Sequence, residues 1–270
     1  MEFEFLDLGG YILRNIESLW TFMLLCVRYG TLLTILPGLA LGPSAKMLRA
    51  PGVLVLACVS TMTSPIMPTP ESFGILMVQV FSEAVFGLAL GLVPLLIVSA
   101  VQMAGTLSST TMGLGASQLV DPTLGGSIPA LARLLGDLVI LVFLLSNGHH
   151  AVIYAASGLG GVLVPGTFSP GPASVELILS RVADIFRLGA LVAAPVIVAL
   201  MLTNFVMGLI SKAISQVNIF IVSFPLTIGI GLILTWLSLA ELIVVVEKEL
   251  LKVDSSLLVL LQDITRVPVN

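Results

Sequence analysis

The chain reads as an all-α integral membrane protein, built of long kinked helices and helical hairpins around a Gly/Ser-rich central loop. Three observations carry that reading. Hydrophobic residues make up 57% of the 270 and charged residues only 10%, and the mean hydropathy is +1.15, far outside the range of water-soluble domains. The apolar residues fall in long runs, and about 20 helical residues at ~1.5 Å each cross a hydrocarbon core. Between two of those runs lies Val101–Arg133, which is neither span nor ordinary loop. Asp121 is the only charge from Ala84 to Ala132, yet the middle is filled with Gly, Ser and Thr and closes in a Pro-punctuated turn.

Charge and cysteine usage exclude other classes. Eleven scattered basic residues against fifteen acidic ones, a net charge of -4, leave no basic patch for nucleic acid. Cys26 and Cys58 lie singly in apolar runs and read as small core residues, not as a disulfide or metal framework. The acidic start, MEFEFLDLGG, lacks the basic n-region of a signal peptide.

In chain order, residues 1–18 mix acids and Arg14 with Phe and Leu, an amphipathic lead-in expected at an interface. Leu19–Gly42 is long enough to span and carries Arg28. Gly52–Met67 is marginal in length, and Pro65, Pro68 and Pro70 end it. Phe73–Leu107 is too long for one simple span and is equally readable as a hairpin. It holds Glu83, then Gly87 and Gly91, whose spacing lets another helix backbone approach, then the kink-forming Pro94. Leu134–Val164 includes Asp137, Asn147, His149 and His150, and a Pro/Gly loop, 165–174, is expected to face water. Arg181, Asp184 and Arg187 stack on one helical face at spacings that satisfy one another. Two apolar helices, about 191–210 and 219–239, are joined by a connection carrying Lys212, the only charge from Leu188 to Ala240, and the polar tail over 241–270 fits a helix emerging into water. Hydropathy gives six conventional helices.

Candidate chemistry is sparse. His149 and His150 are adjacent, so a helix points them to different faces, and no Cys or carboxylate stands beside them at ligand spacing. No metal and no cofactor is expected. Ser108–Thr111 offers hydroxyls without a G-x-S-x-G elbow or paired acids, so no enzyme is expected either. Glu83 and Lys212 suit either a proton or ion path or a buried ion pair or interhelical contact that aids assembly. The irregular central stretch has two readings: a tightly packed re-entrant or extracellular loop, or backbone lining a passage, since non-helical backbone at membrane depth must be buried in protein or face a cavity. In the second, Met112, Leu114 and Leu119 project into the passage and Gly113 and Gly115 let the backbone bend.

The order of several features resembles the flagellar type III export-gate FliR family and, more distantly, its injectisome T-type counterparts. The matching pieces are Glu83 with Gly87 and Gly91; Gln102, Gly105 and Met112-Gly113; Asp121-Pro122 followed by Pro129; and Phe143 with Asn147-Gly148-His149. Pro195, Asn204 and Gly208 follow, then Gln216-Val217-Asn218-Ile219-Phe220 with Phe224-Pro225. The family has Arg-Ala-x-Pro-Gln where this chain reads Lys212-Ala213-Ile214-Ser215-Gln216, a difference that bears on the loop's conformation there.

The resemblance implies a single membrane-embedded export-gate domain over 1–270, in the bacterial inner membrane at the flagellar basal body. It implies assembly with P-type and Q-type subunits, and contact with the B-type switch subunit, membrane lipid and unfolded rod, hook and filament proteins. Such proteins look like a fusion of one P-like and one Q-like unit, much of it above the bilayer plane. By position, the central loop 107–122 becomes a channel plug, with Met112, Gly113, Leu114, Gly115 and Leu119 at its centre and Gln102, Gly105, Asp121 and Pro122 framing it. Glu83, Lys212, Gln216 and Asn218 become buried polar groups of the assembly. The alternative is a stand-alone secondary transporter or small-solute channel, which would show an internal inverted repeat.

Overall fold

A computed structural model describes residues 15–39, 42–114, 128–158, 163–213 and 219–265, and among them every regular element is an α-helix. In chain order these are α1 (Ile16–Ile35), α2 (Gly42–Thr63), α3 (Phe73–Met112), α4 (Ala130–Leu145), α5 (Gly148–Ala156), α6 (Pro172–Ala213) and α7 (Ile219–Thr265). Among the described residues, four helical stretches are long and apolar enough to cross a membrane: α1, α3, α6 and Ile221–Leu261 of α7. The protein is an all-α integral membrane protein.

The spans differ in kind from six conventional helices. Phe73–Met112 is one 40-residue helix with Pro94 inside it, not a hairpin. Pro94 removes one backbone donor but supplies no reversal, and no Gly-Pro or Asn-Gly turn signal stands nearby. α6 and α7 run for 42 and 47 residues in the same way, through Pro195 and Pro225. A straight 40-residue helix is about 60 Å long, about twice the hydrocarbon thickness. The charge-bearing stretches, Glu176–Arg187 of α6 and Glu241–Asp254 of α7, therefore extend past it.

The described residues divide into two compact units. One holds those up to Leu95, Asn147–Leu179 and those from Lys252; the other holds Leu96–Ser146 and Ser180–Leu251. In the first, Leu24, Leu25 and Leu32 of α1, with Leu36 at its C-terminal cap, are buried at helical spacing. Gly87 and Gly91 of α3 face α1 closely. A Cβ at Gly87 would strike Thr31 Oγ1 and the Arg28 carbonyl, and one at Gly91 would lie 3.3–3.4 Å from Leu32 and Ile35. The small-residue spacing read from sequence is thus a real backbone approach.

Two expectations are corrected in this unit. The 165–174 segment does not simply face water: Phe168 is buried, its ring is 4.9 Å from Phe86, and its carbonyl accepts a 2.6 Å hydrogen bond from Ser82 Oγ. An aromatic in a Pro/Gly loop has only the neighbouring core in which to bury its apolar area. Residues 172–174 are already helical, with Pro172 in the first-turn position where its missing N–H is not needed. The region after Glu241 is helical, as expected, but one face of it is buried instead of lying in water. α7 continues to Thr265, and Val253, Leu257, Leu260 and Leu261 form a buried stripe whose i, i+4, i+7 spacing the charges had obscured.

In the second unit the buried residues include Val98, Val101 and Ala104 of α3, Leu135, Val139 and Phe143 of α4, Leu200 of α6 and Val246 of α7. Arg181 of α6 reaches Asp184 at 3.8 Å and Glu249 of α7 at 3.5 Å, so one partner is the sequence neighbour and the other is not. The outer faces of α6 and α7 stay apolar, with Met201, Leu202, Phe205, Ile221, Trp236 and Leu237 all exposed. Water-soluble monomers rarely show such faces; lipid or another apolar protein covers them.

Candidate gate segment

The candidate site is the end of α3, in the second unit. The central loop was expected from residue 107, but 107–112 are helical. Thr106, Thr110 and Thr111 turn their hydroxyls back on the carbonyls of Gln102, Thr106 and Leu107, at 2.9, 3.0 and 2.6 Å. The threonine hydroxyls are thereby satisfied within the helix instead of breaking it, while Ser109 Oγ is buried without a hydrogen-bond partner among the described residues. Gly113 breaks it, at φ 88. Its N–H donates to the Thr110 carbonyl (3.1 Å) and the N–H of Leu114 to the Ser109 carbonyl (3.0 Å). This 5→2 and 6→1 pair is a Schellman cap, which needs a left-handed residue and so favours glycine.

Met112 does not project freely. It is fully buried, and its side chain fills the notch left by Gly231 of α7, where a Cβ would come within 2.5–2.8 Å of the Met112 Cγ, Cε and Sδ atoms. Thr227 Oγ1 of α7 donates to the Met112 carbonyl at 3.2 Å. The ring of Phe224 stands over Gly113, 2.7 Å from where a Cβ would sit. Leu114 is partly exposed. Gly115, Leu119, Asp121 and Pro122 lie outside the described residues.

Gln102 and Gly105, expected to frame the loop, sit on α3 at its crossing with α4. A Cβ on Gly105 would be 2.5 Å from Ala132 Cα, and one on Gly136 would be 2.5 Å from Gln102 Nε2. The backbones of α3 and α4 therefore meet at Gly105, with the Gln102 amide laid across Gly136. This crossing sets the two ends from which the central loop departs.

Glu83 belongs to the first unit and pairs with Arg28, not with Lys212. The pair is bidentate, Nε to Oε2 at 2.5 Å and Nη2 to Oε1 at 2.9 Å, and both residues are buried. Arg28 Nη1 donates to the Ala156 carbonyl at 2.9 Å, and the Gly166 N–H donates to Glu83 Oε1 at 2.5 Å. The guanidinium carbon lies 4.8 Å from the Phe86 ring centroid. One ion pair thus ties α1, α3, α5 and the 163–171 segment together, its fixed fork matching the carboxylate. Lys212 is exposed on the chain, so its expected burial would have to come from partner subunits of the assembly. Lys212→Ala should change the chain's own stability by less than about 0.5 kcal/mol, the range for surface sites, so thermal unfolding of the purified protein should match the parent's. Gln216 and Asn218 lie outside the described residues.

The His149 and His150 rings, expected on different faces, lie 4.1 Å apart and tilted; they occupy the first turn of α5, where neighbouring rings can turn toward each other. Among the described residues no three His, Cys, Asp or Glu converge to hold a metal ion.

A profile of the family described as bacterial export proteins, family 1, matches residues 19–253, most of the chain. The chain belongs to this family. Within it, the chain is 27% identical over 206 residues to flagellar biosynthetic protein FliR of Bacillus subtilis (strain 168), an alignment covering 72% of this chain and 75% of that protein. It is 29% identical over 225 residues to the protein of the same name from Caulobacter vibrioides, covering 82% and 89%. It is also similar to Yop proteins translocation protein T of Yersinia pestis, 26% identical over 162 residues, covering 59% and 62%.

In this export protein the structure brings Met112 and Gly113 together with Phe224 of the Phe224-Pro225 piece, residues more than a hundred positions apart in sequence. Asn147 of the Asn147-Gly148-His149 piece takes a left-handed conformation, φ 59, at the break between α4 and α5, which asparagine tolerates better than most residues. Thr227, Gly231 and the pairing of Arg28 escaped sequence reading. Only Gly229-Ile230-Gly231 inside an apolar helix signalled a close approach, and nothing in it named Met112.

Proposed function

We propose that the protein is the FliR-type component of a type III protein export gate. It forms, with P-type and Q-type subunits and in contact with the B-type switch subunit, the channel that passes unfolded flagellar rod, hook and filament proteins across the bacterial inner membrane at the basal body. It works as a channel and gate subunit, not as an enzyme. Membership of the export family and relatives named for flagellar biosynthesis and for Yop translocation support this reading, as do long helices whose outer faces stay apolar.

The observation that carries the gate is the abrupt end of α3. A helix capped at Gly113 and anchored through Met112 delivers the uncharged Gly-Leu-Gly-Ala-Ser segment from a fixed root. The plug then begins at Leu114, with Met112 its anchor instead of its tip. Deleting residues 110–116 should leave assembly with the P-type and Q-type subunits intact and make the membrane permeable to small solutes. A deletion complex assembled at normal yield with parental conductance argues against the plug, and a chain active as an isolated monomer argues against the gate assembly itself.

A further inference from the structure

We propose that the start of α7 is the seat that keeps the gate closed: Phe224, Thr227 and Gly231 grip the last turn of α3 at Met112 and Gly113, and opening releases that grip. The inference rests on the gate reading above.

The three contacts differ in kind. The Met112 carbonyl is among the last carbonyls of α3, which have no N–H partner within the helix; Thr227 Oγ1 supplies that partner at 3.2 Å. Gly231 provides a notch that the fully buried Met112 side chain fills. The Phe224 ring stands against Gly113, the residue that ends the helix.

The same contacts are built to let go. A threonine hydroxyl has one proton to donate, and Thr227 Oγ1 lies within reach of three carbonyls: Met112 at 3.2 Å, Ser223 at 3.0 Å and Phe224 at 3.1 Å. When α3 leaves its seat, the proton passes to a carbonyl of α7 itself, and the hydroxyl is never left unpaired. Methionine, unbranched and adaptable, leaves and refills a notch with little strain. The turn carrying Phe224 joins the rest of α7 across Pro225, where one helical hydrogen bond is missing and bending is easier.

The test uses the export gate assembled with its partner subunits in proteoliposomes, with potassium release as the readout and complex yield measured in parallel. Gly231→Ala blocks the notch and should raise potassium release about tenfold, the population change that overpacking strain of this kind produces. Adding Met112→Ala, which restores the space, should return release toward the parental rate. Thr227→Val should raise release by a smaller factor, and Thr227→Ser should remain tight. If Gly231→Ala and Thr227→Val are both as tight as the parent while the 110–116 deletion leaks, the gate reading stands and the seat is wrong. If the deletion is tight too, the gate reading falls with it. Should Gly231→Ala fail to assemble, Thr227→Val decides; loss of assembly in both variants overturns the proposal, because the residues then serve packing and not closure.

Discussion

Replacing Glu83 with alanine is expected to remove most of the assembled complex. In the variant the buried Arg28 guanidinium loses both carboxylate bonds, while the Gly166 N–H loses its acceptor. Breaking a buried pair by removing one partner costs about 3–5 kcal/mol, a large share of the roughly 5–15 kcal/mol that holds a domain folded. Complex yield after solubilisation measures this directly. Removing both charges is a different experiment, since a well-packed apolar pair of similar volume can be neutral or better. Arg28→Met with Glu83→Leu should therefore recover much of the yield lost in Glu83→Ala. Normal yield with abolished secretion in Glu83→Ala would instead move Glu83 from the scaffold to the transport path.

Gly105→Leu should have a comparable effect, centred on the second unit. The added Cβ would meet Ala132 Cα at 2.5 Å, and that neighbour is backbone, which cannot rotate away as a side chain can. Overpacking of a close helix contact costs about 1–3 kcal/mol even where side chains can yield. Here α3 and α4 must part, which also lifts Gln102 from Gly136. Lower complex yield together with faster proteolysis between α3 and α4 is the expected result. Parental yield and protection in Gly105→Leu would mean that the crossing does not hold the ends of the central loop.

The residues show why some of this was legible in sequence and some was not. Gly87 and Gly91, four apart in an apolar run, announced a close helix approach, because a missing side chain on one helical face is a local fact. Gly113 likewise announced a break, although the Ser and Thr residues before it suggested one too early. The threonine hydroxyls can satisfy themselves within a helix as readily as in a loop, and composition does not distinguish the two. The Phe168 segment looked water-exposed because Pro and Gly dominate it, while its one aromatic found a core partner in Phe86.

The sequence by itself determined that this is an all-α membrane protein, where its backbone can bend or approach another helix, and the family to which it belongs. Those properties depend on hydropathy, spacing and residue type, each of which is local. Only the tertiary structure decided that Glu83 answers to Arg28, 55 positions away, that Lys212 stays outside the core, and that Met112 is anchored by Thr227 and Gly231 of α7. The physical reason is the same in each case. Charge pairing, notch filling and the capping of a helix-end carbonyl depend on distance through space, and long helices packed together bring into contact side chains whose separation along the sequence carries no trace of it.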